Sequence, residues 1–445
     1  MIKKFLLLSL VASQLMVSCS SDESGEETTK PEKELTLEEQ IANLVKQPYS
    51  KLTPTEQKAK LEVEANDMLV QLDKSKSSSA IEAIENLNRL LDIATVDIFG
   101  GKNDNEVEDI LNISGAYGIY TWNNTKKIWD KTASTTELKF VFPAKESQTA
   151  NNAIFSAKGV SSDVKIKYYD GYNDTKGSDV YDNLFFPSSS DATLTIDNAQ
   201  AATFTQTAKY SSKNSSPDEF AYKMTLNDGY VWEMSGKKGT EPTAKAILTY
   251  NGKNLIDFNS GSTANIDGLI ENDALIQYRG KANGLMKLMD NFVIVANMDL
   301  ATEATDEIAL EKTLPNSDYN TKTYYSDINA SNLKYSEGSV LNFNKNMKLM
   351  LVSKKDGTKI ADIVQRSAKS GSYTQNVKWI VDTKNNNGGY WSYDANSEGI
   401  VINEYEEVFY LKFNDNTEAS FSTYFSVGFE KFEAKFEDFI KAFNK

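Results

Sequence analysis

A period of two in hydrophobicity, which begins near residue 117 and recurs through most of the chain, constrains the fold more than any other feature. Residues 117–122, the polar pair Asn123-Asn124 and residues 127–129 have the pattern of a β-hairpin. Further hairpin turns are predicted at three dipeptides that tolerate positive φ: Asp228-Gly229, Asn251-Gly252 and Asp356-Gly357. The chain is therefore predicted to be rich in antiparallel β-structure.

A unit of strand, polar turn and strand recurs along this part of the chain. Its clearest copies begin at Ala192, Ala246, Leu349 and Phe409. The spacing is irregular, which is not the pattern of a solenoid. We predict two related β-rich domains, at 114–262 and at about 318–428. Residues 263–317 carry an apolar run with few turn signals, so we predict a mixed or helical connection there.

Ahead of the β-rich part, residues 36–98 have the signals of a small helical module. Thr53 stands at an N-cap position, Pro54 takes the first helical position, and Glu56 takes the third, from which its side chain can reach back to the Thr53 amide. A similar capping box begins at Thr36. Apolar residues recur at helical spacing after both caps and in a third run at residues 81–91.

The end of the chain carries an amphipathic pattern. Five phenylalanines fall at alternating three- and four-residue steps: Phe429, Phe432, Phe436, Phe439 and Phe443. A helix with this pattern must bury its phenylalanine face, and we expect it to pack on the second β-rich domain, which then spans 318–445. The alternatives are a membrane surface or a partner, although the polar face lacks the basic excess that anionic lipid favours.

The predicted fold class is α+β. It combines a small N-terminal helical module, antiparallel β-rich domains built as a sandwich or a curved sheet, and a C-terminal amphipathic helix.

The N-terminus has the features of a signal peptide. Lys3 and Lys4 precede an apolar run from Phe5 to Val17, and the small residue Ser18 follows it. Thirteen residues make about 20 Å of helix, which is shorter than the ~30 Å hydrocarbon core of a bilayer. We expect residues 1–18 to be removed during export.

Met16-Val17-Ser18-Cys19 resembles the lipobox of bacterial lipoproteins, whose cysteine is acylated and becomes the first residue of the mature chain. Cys19 is the only cysteine, which excludes disulfides within the chain and cysteine nucleophiles elsewhere in it. The alternative, an ordinary secretory cut, would leave one odd cysteine. The resemblance implies lipidation of Cys19, and several acyl chains make such an anchor effectively permanent.

Residues 19–35 then form a polar, acidic tether. Residues 20–27, Ser-Ser-Asp-Glu-Ser-Gly-Glu-Glu, resemble the acidic export tag of surface lipoproteins of Bacteroidota, which implies an outer-membrane location and display at the cell surface. The same composition also fits a plain solvated tether. Residues 52–62 are similar to the opening of a group of uncharacterised Bacteroidota lipoproteins with a helical N-terminal part and a β-rich body. That resemblance implies no known activity.

Histidine is absent from all 445 residues, and this excludes several classes of function. Triads and dyads built on histidine cannot form, and neither can zinc, copper or haem sites that use imidazole. The net charge of −15 and the lack of a cluster of lysine and arginine argue against nucleic-acid binding. A glycosidase would still be possible with two carboxylates, but no pair is marked by the sequence, and we expect no enzyme.

Two acidic segments could offer oxygen ligands to calcium. They are Asn103-Asp104-Asn105-Glu106 and Asp170-Gly171-Tyr172-Asn173-Asp174. Neither has the ligand spacing, central glycine and closing glutamate of an EF-hand loop. We therefore expect no metal site and no cofactor.

The chain is rich in aromatic residues, with 5 Trp, 22 Tyr and 21 Phe. Rings on the inner face of a strand fill a core, as we expect for Tyr120 and Trp122, while rings on an exposed face can stack on sugars. Trp391, which lies beside a Gly-Gly turn, is predicted to be an exposed ring, and Trp391 and Tyr390 are the predicted ligand contacts. We predict non-catalytic binding or structural display, with glycan capture first, a lipid or lipoprotein carrier as the alternative, and a carboxylate glycosidase third.

Overall fold

The computed structural model describes residues 35–74, 78–102, 106–211, 215–289 and 291–425. The lipobox with Cys19, the tether up to residue 34 and the phenylalanine stripe at 429–445 lie outside the described residues. Within them the chain is α+β and rich in β-structure, as predicted.

Seven α-helices occur among the described residues. They are α1 (Leu37–Val45), α2 (Pro54–Asp73), α3 (Ser79–Ile93), α4 (Ile266–Glu271), α5 (Leu300–Glu311), α6 (Tyr324–Asn346) and α7 (Phe421–Tyr424).

The described strands number nineteen. The first ten are β1 (Ile110–Leu111), β2 (Gly118–Asn123), β3 (Ile128–Thr132), β4 (Leu138–Phe142), β5 (Ala153–Asn173), β6 (Ser178–Ile196), β7 (Ala199–Lys209), β8 (Glu219–Leu226), β9 (Tyr230–Lys237) and β10 (Thr243–Tyr250). The others are β11 (Lys253–Ser262), β12 (Lys281–Leu288), β13 (Phe292–Asp299), β14 (Met347–Ser353), β15 (Thr358–Gln375), β16 (Val377–Val381), β17 (Gly389–Tyr393), β18 (Ile400–Lys412) and β19 (Glu418–Ser420).

Seventeen of these strands form one sheet. From β4 to β15 each strand pairs antiparallel with the next one along the chain, and β18 and β19 continue the sheet beyond β15. At the other end β2 pairs with β4 in parallel and with β3 antiparallel, and the short β1 pairs with β6 in parallel. The ladder runs through the predicted domains at 114–262 and 318–428 and through the connection at 263–317, whose apolar run lies in β12 and β13.

The local signals read from the sequence have their expected structural effects. The Thr53 amide donates to Glu56 Oε2 at 2.8 Å, and the Thr36 amide donates to Glu39 Oε2 at the same distance, which starts α2 and α1. In the first hairpin Trp122 stands opposite Trp129. Tyr120 and Trp122 are each only 3% exposed, so both rings belong to the core, as predicted.

The N-terminal helices pack against two parts of the sheet, each with its own apolar cluster. Met68 of α2 and Leu90 of α3 lie in one apolar cluster with Phe140, while Leu61 of α2 lies in a second cluster with Leu351. Leu61 and Met68 are seven residues apart and therefore share a face of α2. Full burial of each such side chain is worth about 1.5–3 kcal/mol, so α2 ties both parts of the sheet to one helical layer.

Two long hairpins extend past their neighbours, and we call these extensions the first and second arms. The first arm comprises residues 165–173 of β5 and 178–185 of β6, beyond the residues that pair with β4 and β7. The second comprises residues 364–375 of β15 and 400–409 of β18, beyond the residues that pair with β14 and β19. Each arm contains a β-bulge, one just before Gly171 and one just before Gly371.

Helix α6 crosses the second arm and satisfies its free edges. Asn329 donates to the Val401 carbonyl at 2.8 Å and accepts from the Asn403 amide at 2.7 Å. On the opposite edge, Asn344 donates to the carbonyl of Gln365 at 2.9 Å and accepts from its amide at 2.8 Å. Unpaired strand edges invite pairing with other chains, so these asparagines close the arm against such contacts.

Candidate functional site

The insertion between β15 and β18 forms a small sheet of its own, and we call it the aromatic hairpin. It consists of β16 and β17, with Trp379 directly opposite Trp391. Because residues opposite each other in a ladder share a face, the two indoles lie on the same face as Tyr393. Tyr390 stands opposite Ile380 on the other face.

Five rings form a continuous row from the start of α6 to this hairpin. They are Tyr319, Tyr324, Tyr325, Trp391 and Trp379, with successive centroids 5.0, 4.9, 4.8 and 5.4 Å apart. All four contacts are edge-to-face, an arrangement that aromatic rings prefer over direct face-to-face stacking. The row fixes the hairpin to the helix that crosses the second arm.

Trp391 is held more firmly than the sequence suggested. Its indole Nε1 donates to the Thr321 carbonyl at 2.9 Å, and its ring is half-buried between Tyr325 and Trp379. Trp391 is therefore less exposed than predicted, because a partner 70 residues away covers one side of it. Tyr390 is exposed, at 47%, as expected of a ligand contact.

Tyr393 was not among the predicted ligand contacts, yet it is 74% exposed and is the most exposed aromatic ring among the described residues. The signal was present in the period of two, since Tyr393 follows Trp391 on the same face of β17. At the far end of the row, Tyr319 is 51% exposed. The row thus has an open ring, Tyr319, at one end and the half-buried tryptophan pair at the other, and exposed Tyr393 shares the face of that pair.

Charge on the hairpin is balanced. Lys378 on β16 contacts Asp394, just after β17, with 2.6 Å between Nζ and Oδ2. This hydrogen bond, helped by the Asn396 amide, holds the pKa of Asp394 below its ordinary value. Burial, followed by the neighbouring phenols of Tyr319 and other tyrosines, raises the pKa of Tyr325. The Tyr325 phenol therefore stays protonated and neutral at physiological pH.

The first arm carries a second group of exposed rings on one face, which we call the tyrosine face. Tyr169 stands opposite Tyr181, with ring centroids 5.8 Å apart, and Tyr172 stands opposite Asp179. The three rings are 52%, 39% and 51% exposed for Tyr169, Tyr181 and Tyr172. The opposite face of the arm is buried, with Val180 and Leu184 each under 9% exposed.

The two acidic segments considered for calcium meet at the first arm. Asn173 donates from Nδ2 to the Glu106 carbonyl at 2.9 Å, and its Oδ1 accepts from the Lys176 amide at 2.8 Å. Both the nitrogen and the oxygen of the Asn173 side-chain amide are therefore hydrogen-bonded within the protein. Asn103, Asp104 and Asn105 lie outside the described residues, and the described chain holds no group of three acidic or cysteine side chains placed to bind a metal ion.

The acidic cluster on α5 serves to pack that helix against α6. Asp306 accepts hydrogen bonds from Lys345 and Asn346, both at 2.7 Å, and Glu307 accepts from two further side chains of α6. Burial is the main cause that raises the pKa of Glu303. A glycosidase needs two carboxylates that flank a bond from two sides, whereas these three lie within two turns of one helix.

None of the helices within the described residues combines the length and apolar character that a membrane span requires. Comparison of the chain with protein-family models, with curated proteins and with solved structures gives no match. Its function therefore has to be argued from its own geometry and chemistry.

Proposed function

We propose that this chain is a non-catalytic glycan-binding protein, anchored by a lipid on Cys19 in the outer membrane of a bacterium, and that the aromatic hairpin is its contact surface. One observation carries the proposal. A hairpin outside the continuous sheet presents Tyr390 and Tyr393 to solvent while a tryptophan pair fixes its position.

Exposed tyrosine rings suit a ligand that is partly apolar and partly polar. A tyrosine has an apolar body and a polar tip, and it is most useful where one part of a ligand is apolar and another is wet. A sugar ring has this character, because its C–H bonds form an apolar face and its hydroxyls point outward. The rings of Tyr393 and Trp379 can cover such a face. On the other face of the hairpin, Tyr390 and Lys378 lie together, and the Lys378–Asp394 pair can bond hydroxyls there.

The alternatives have weaker support. The carboxylates of α5 are occupied by hydrogen bonds from α6, so they do not form a catalytic pair for a glycosidase. A lipid carrier would present apolar groups inside a cavity, whereas the exposed tyrosines here carry hydroxyls and stand on the aromatic hairpin and on the first arm.

The test is glycan binding by the purified full-length protein in detergent, first on an immobilised panel of polysaccharides and then by calorimetry. Tyr393→Ala should weaken binding about twofold to tenfold, the range expected for one aromatic contact. Tyr390→Ala shows which face of the hairpin binds the glycan. If the glycan binds on the tryptophan face, this variant should have an affinity close to that of wild type. Tyr335→Ala is the matched control, because Tyr335 is 42% exposed on α6.

Two results would contradict the proposal. One is the absence of binding to every glycan in the panel by a folded protein. The other is binding that Tyr335→Ala weakens as much as Tyr393→Ala, because the loss would then not depend on the hairpin.

A further inference from the structure

We infer that the tyrosine face of the first arm is a second glycan contact, selective for acidic sugars whose carboxylates bind Lys165 and Lys167. The inference rests on the proposed function for the class of ligand. Beyond the proposed function, it assigns a second binding surface and predicts that the sugars bound there are negatively charged.

The faces of the arm are fixed by its register. Lys165, Lys167 and Tyr169 alternate along β5 with half-buried residues, and all three are exposed. The bulge before Gly171 then returns Tyr172 to the same face, since Tyr172 stands opposite Asp179 and Tyr169 stands opposite Tyr181. Without that extra residue, Tyr172 would point to the buried face.

The two lysines are available to a ligand. Among the described residues neither Lys165 nor Lys167 has a carboxylate oxygen within 4.0 Å, unlike lysines such as Lys209 and Lys223, which pair with Glu219 and Glu233. Lys165 and Lys167 lie two residues apart on β5, so their side chains project from the same face of the strand. An acidic sugar supplies the charge that would complement them.

Neighbouring acidic groups are partly engaged by this arm. Glu108 accepts a hydrogen bond at 2.7 Å from Asn183, which stands opposite Lys167. Asp179 lies toward the tip and accepts from the Tyr181 hydroxyl at 3.4 Å. The two lysines thus lie nearer the base of the arm, and the tyrosine rings lie nearer its tip.

The size of the face suits a chain of sugars rather than one ring. Strand residues rise about 3.3 Å each, so the distance from Lys165 to Tyr172 is about 20 Å. A polysaccharide lying along β5 would meet the ammonium groups first and the tyrosine rings next. Ring stacking supplies contact area, and the lysines select for carboxylates.

The experiment compares polygalacturonate with its fully methyl-esterified form, which keeps the sugar backbone and removes the charge. The full-length protein should bind the acid form better, and added salt should reduce the difference between the two polymers. The double variant Lys165→Gln/Lys167→Gln should lose about twofold to tenfold in affinity for the acid form only. Tyr172→Ala should weaken binding of both forms.

The matched control is Lys245→Gln/Lys253→Gln, which removes two exposed lysines from the β10–β11 hairpin and changes the net charge equally. An equal loss of affinity for polygalacturonate in the two double variants would overturn the inference, because the effect would then come from the net charge of the protein. Equal binding of polyacrylate, a polyanion without sugar rings, would also overturn it.

Failure here is distinguishable from failure of the proposed function. If Tyr393→Ala reduces binding to a neutral glycan while the Lys165→Gln/Lys167→Gln variant binds polygalacturonate like wild type, the tyrosine face is not an acidic-sugar site and the aromatic hairpin still is a glycan site. If no glycan binds at all, both are refuted.

Discussion

The indole of Trp379 lies against Gly389, its diagonal neighbour across the aromatic hairpin. A methyl group at position 389 would stand 2.6 Å from Trp379 Nε1 and 2.3 Å from the Ile380 carbonyl oxygen. Neither contact is possible for real atoms, so only glycine allows the indole to cross β17 at this point. The orientation of the tryptophan pair therefore depends on a residue without a side chain.

Gly389→Ala should displace the Trp379 indole and disturb its edge-to-face contact with Trp391. Overpacking of this kind costs about 1–3 kcal/mol where the neighbours cannot give way. We expect a shift in tryptophan fluorescence and, if the hairpin binds glycans, a loss of affinity. Gly115→Ala is the control, because a methyl group there meets nothing within 4 Å and the backbone is not in the left-handed region. Wild-type fluorescence in Gly389→Ala would contradict the placement of Trp379.

Trp391→Ala should lower the stability of the hairpin, since it removes the hydrogen bond to the Thr321 carbonyl and two ring contacts. The ring is half-buried, so we expect about 1–3 kcal/mol, less than for a fully buried tryptophan. Trp391→Phe keeps a ring but removes the N–H donor, so its free energy of unfolding should lie between those of wild type and Trp391→Ala. Denaturant unfolding of the three proteins measures the difference, and an unchanged midpoint in Trp391→Ala would show that the row does not support the hairpin.

The ion pair between Lys60 on α2 and Asp356 in the β14–β15 turn predicts a dependence of stability on pH. Lys60 Nζ lies 2.8 Å from Asp356 Oδ2, and this hydrogen bond is the main cause that lowers the pKa of Asp356 from 3.8. A carboxyl whose pKa is depressed on folding stabilises the protein above its unfolded pKa and loses that contribution as pH falls through the folded pKa. Both groups are partly exposed, so the effect is under about 1 kcal/mol.

Lys60→Gln should therefore lower the free energy of unfolding at neutral pH and leave it close to wild type at a pH well below 3.8. Urea unfolding of both proteins across this range gives the comparison. Lys58→Gln is a suitable control, because Lys58 lies on the same helix and approaches Glu62 only to 3.9 Å. A difference between wild type and Lys60→Gln that stays constant with pH would show that the variant acts through packing rather than through the carboxylate.

Several features of the fold were predictable from sequence because they depend on short-range rules. The cap at Thr53 requires only that Glu56 follow three residues later, and the hairpin at Tyr120 and Trp122 requires only alternation and a turn. In the same way, Asn251 and Gly252 both adopt positive φ, as their dipeptide predicts. Each of these signals involves residues close together in the chain.

The candidate site could be predicted only in part, because its placement depends on distant partners. A period of two defines two faces of a strand but does not say which face is covered. In the aromatic hairpin the cover comes from Thr321 and Tyr325, which no local pattern connects with Trp391. In the first arm, the bulge before Gly171 moves Tyr172 to the exposed face, and nothing in Asp170-Gly171-Tyr172 alone reveals that extra residue.

The predicted lipid anchor can be tested independently of every surface described above. Cys19→Ala removes the acylation site, and no helix of the described residues is long and apolar enough to cross a bilayer in its place. We expect the variant to leave the membrane fraction and to lose incorporation of labelled palmitate, while its folded part melts like wild type. Ser18→Ala is a control, because it keeps a small residue before the cysteine and keeps the thiol. Retention of Cys19→Ala in the membrane, or failure of the parent protein to take up label, would contradict lipidation at Cys19. The proposal that the aromatic hairpin and the tyrosine face are displayed at the cell surface would then lose its support.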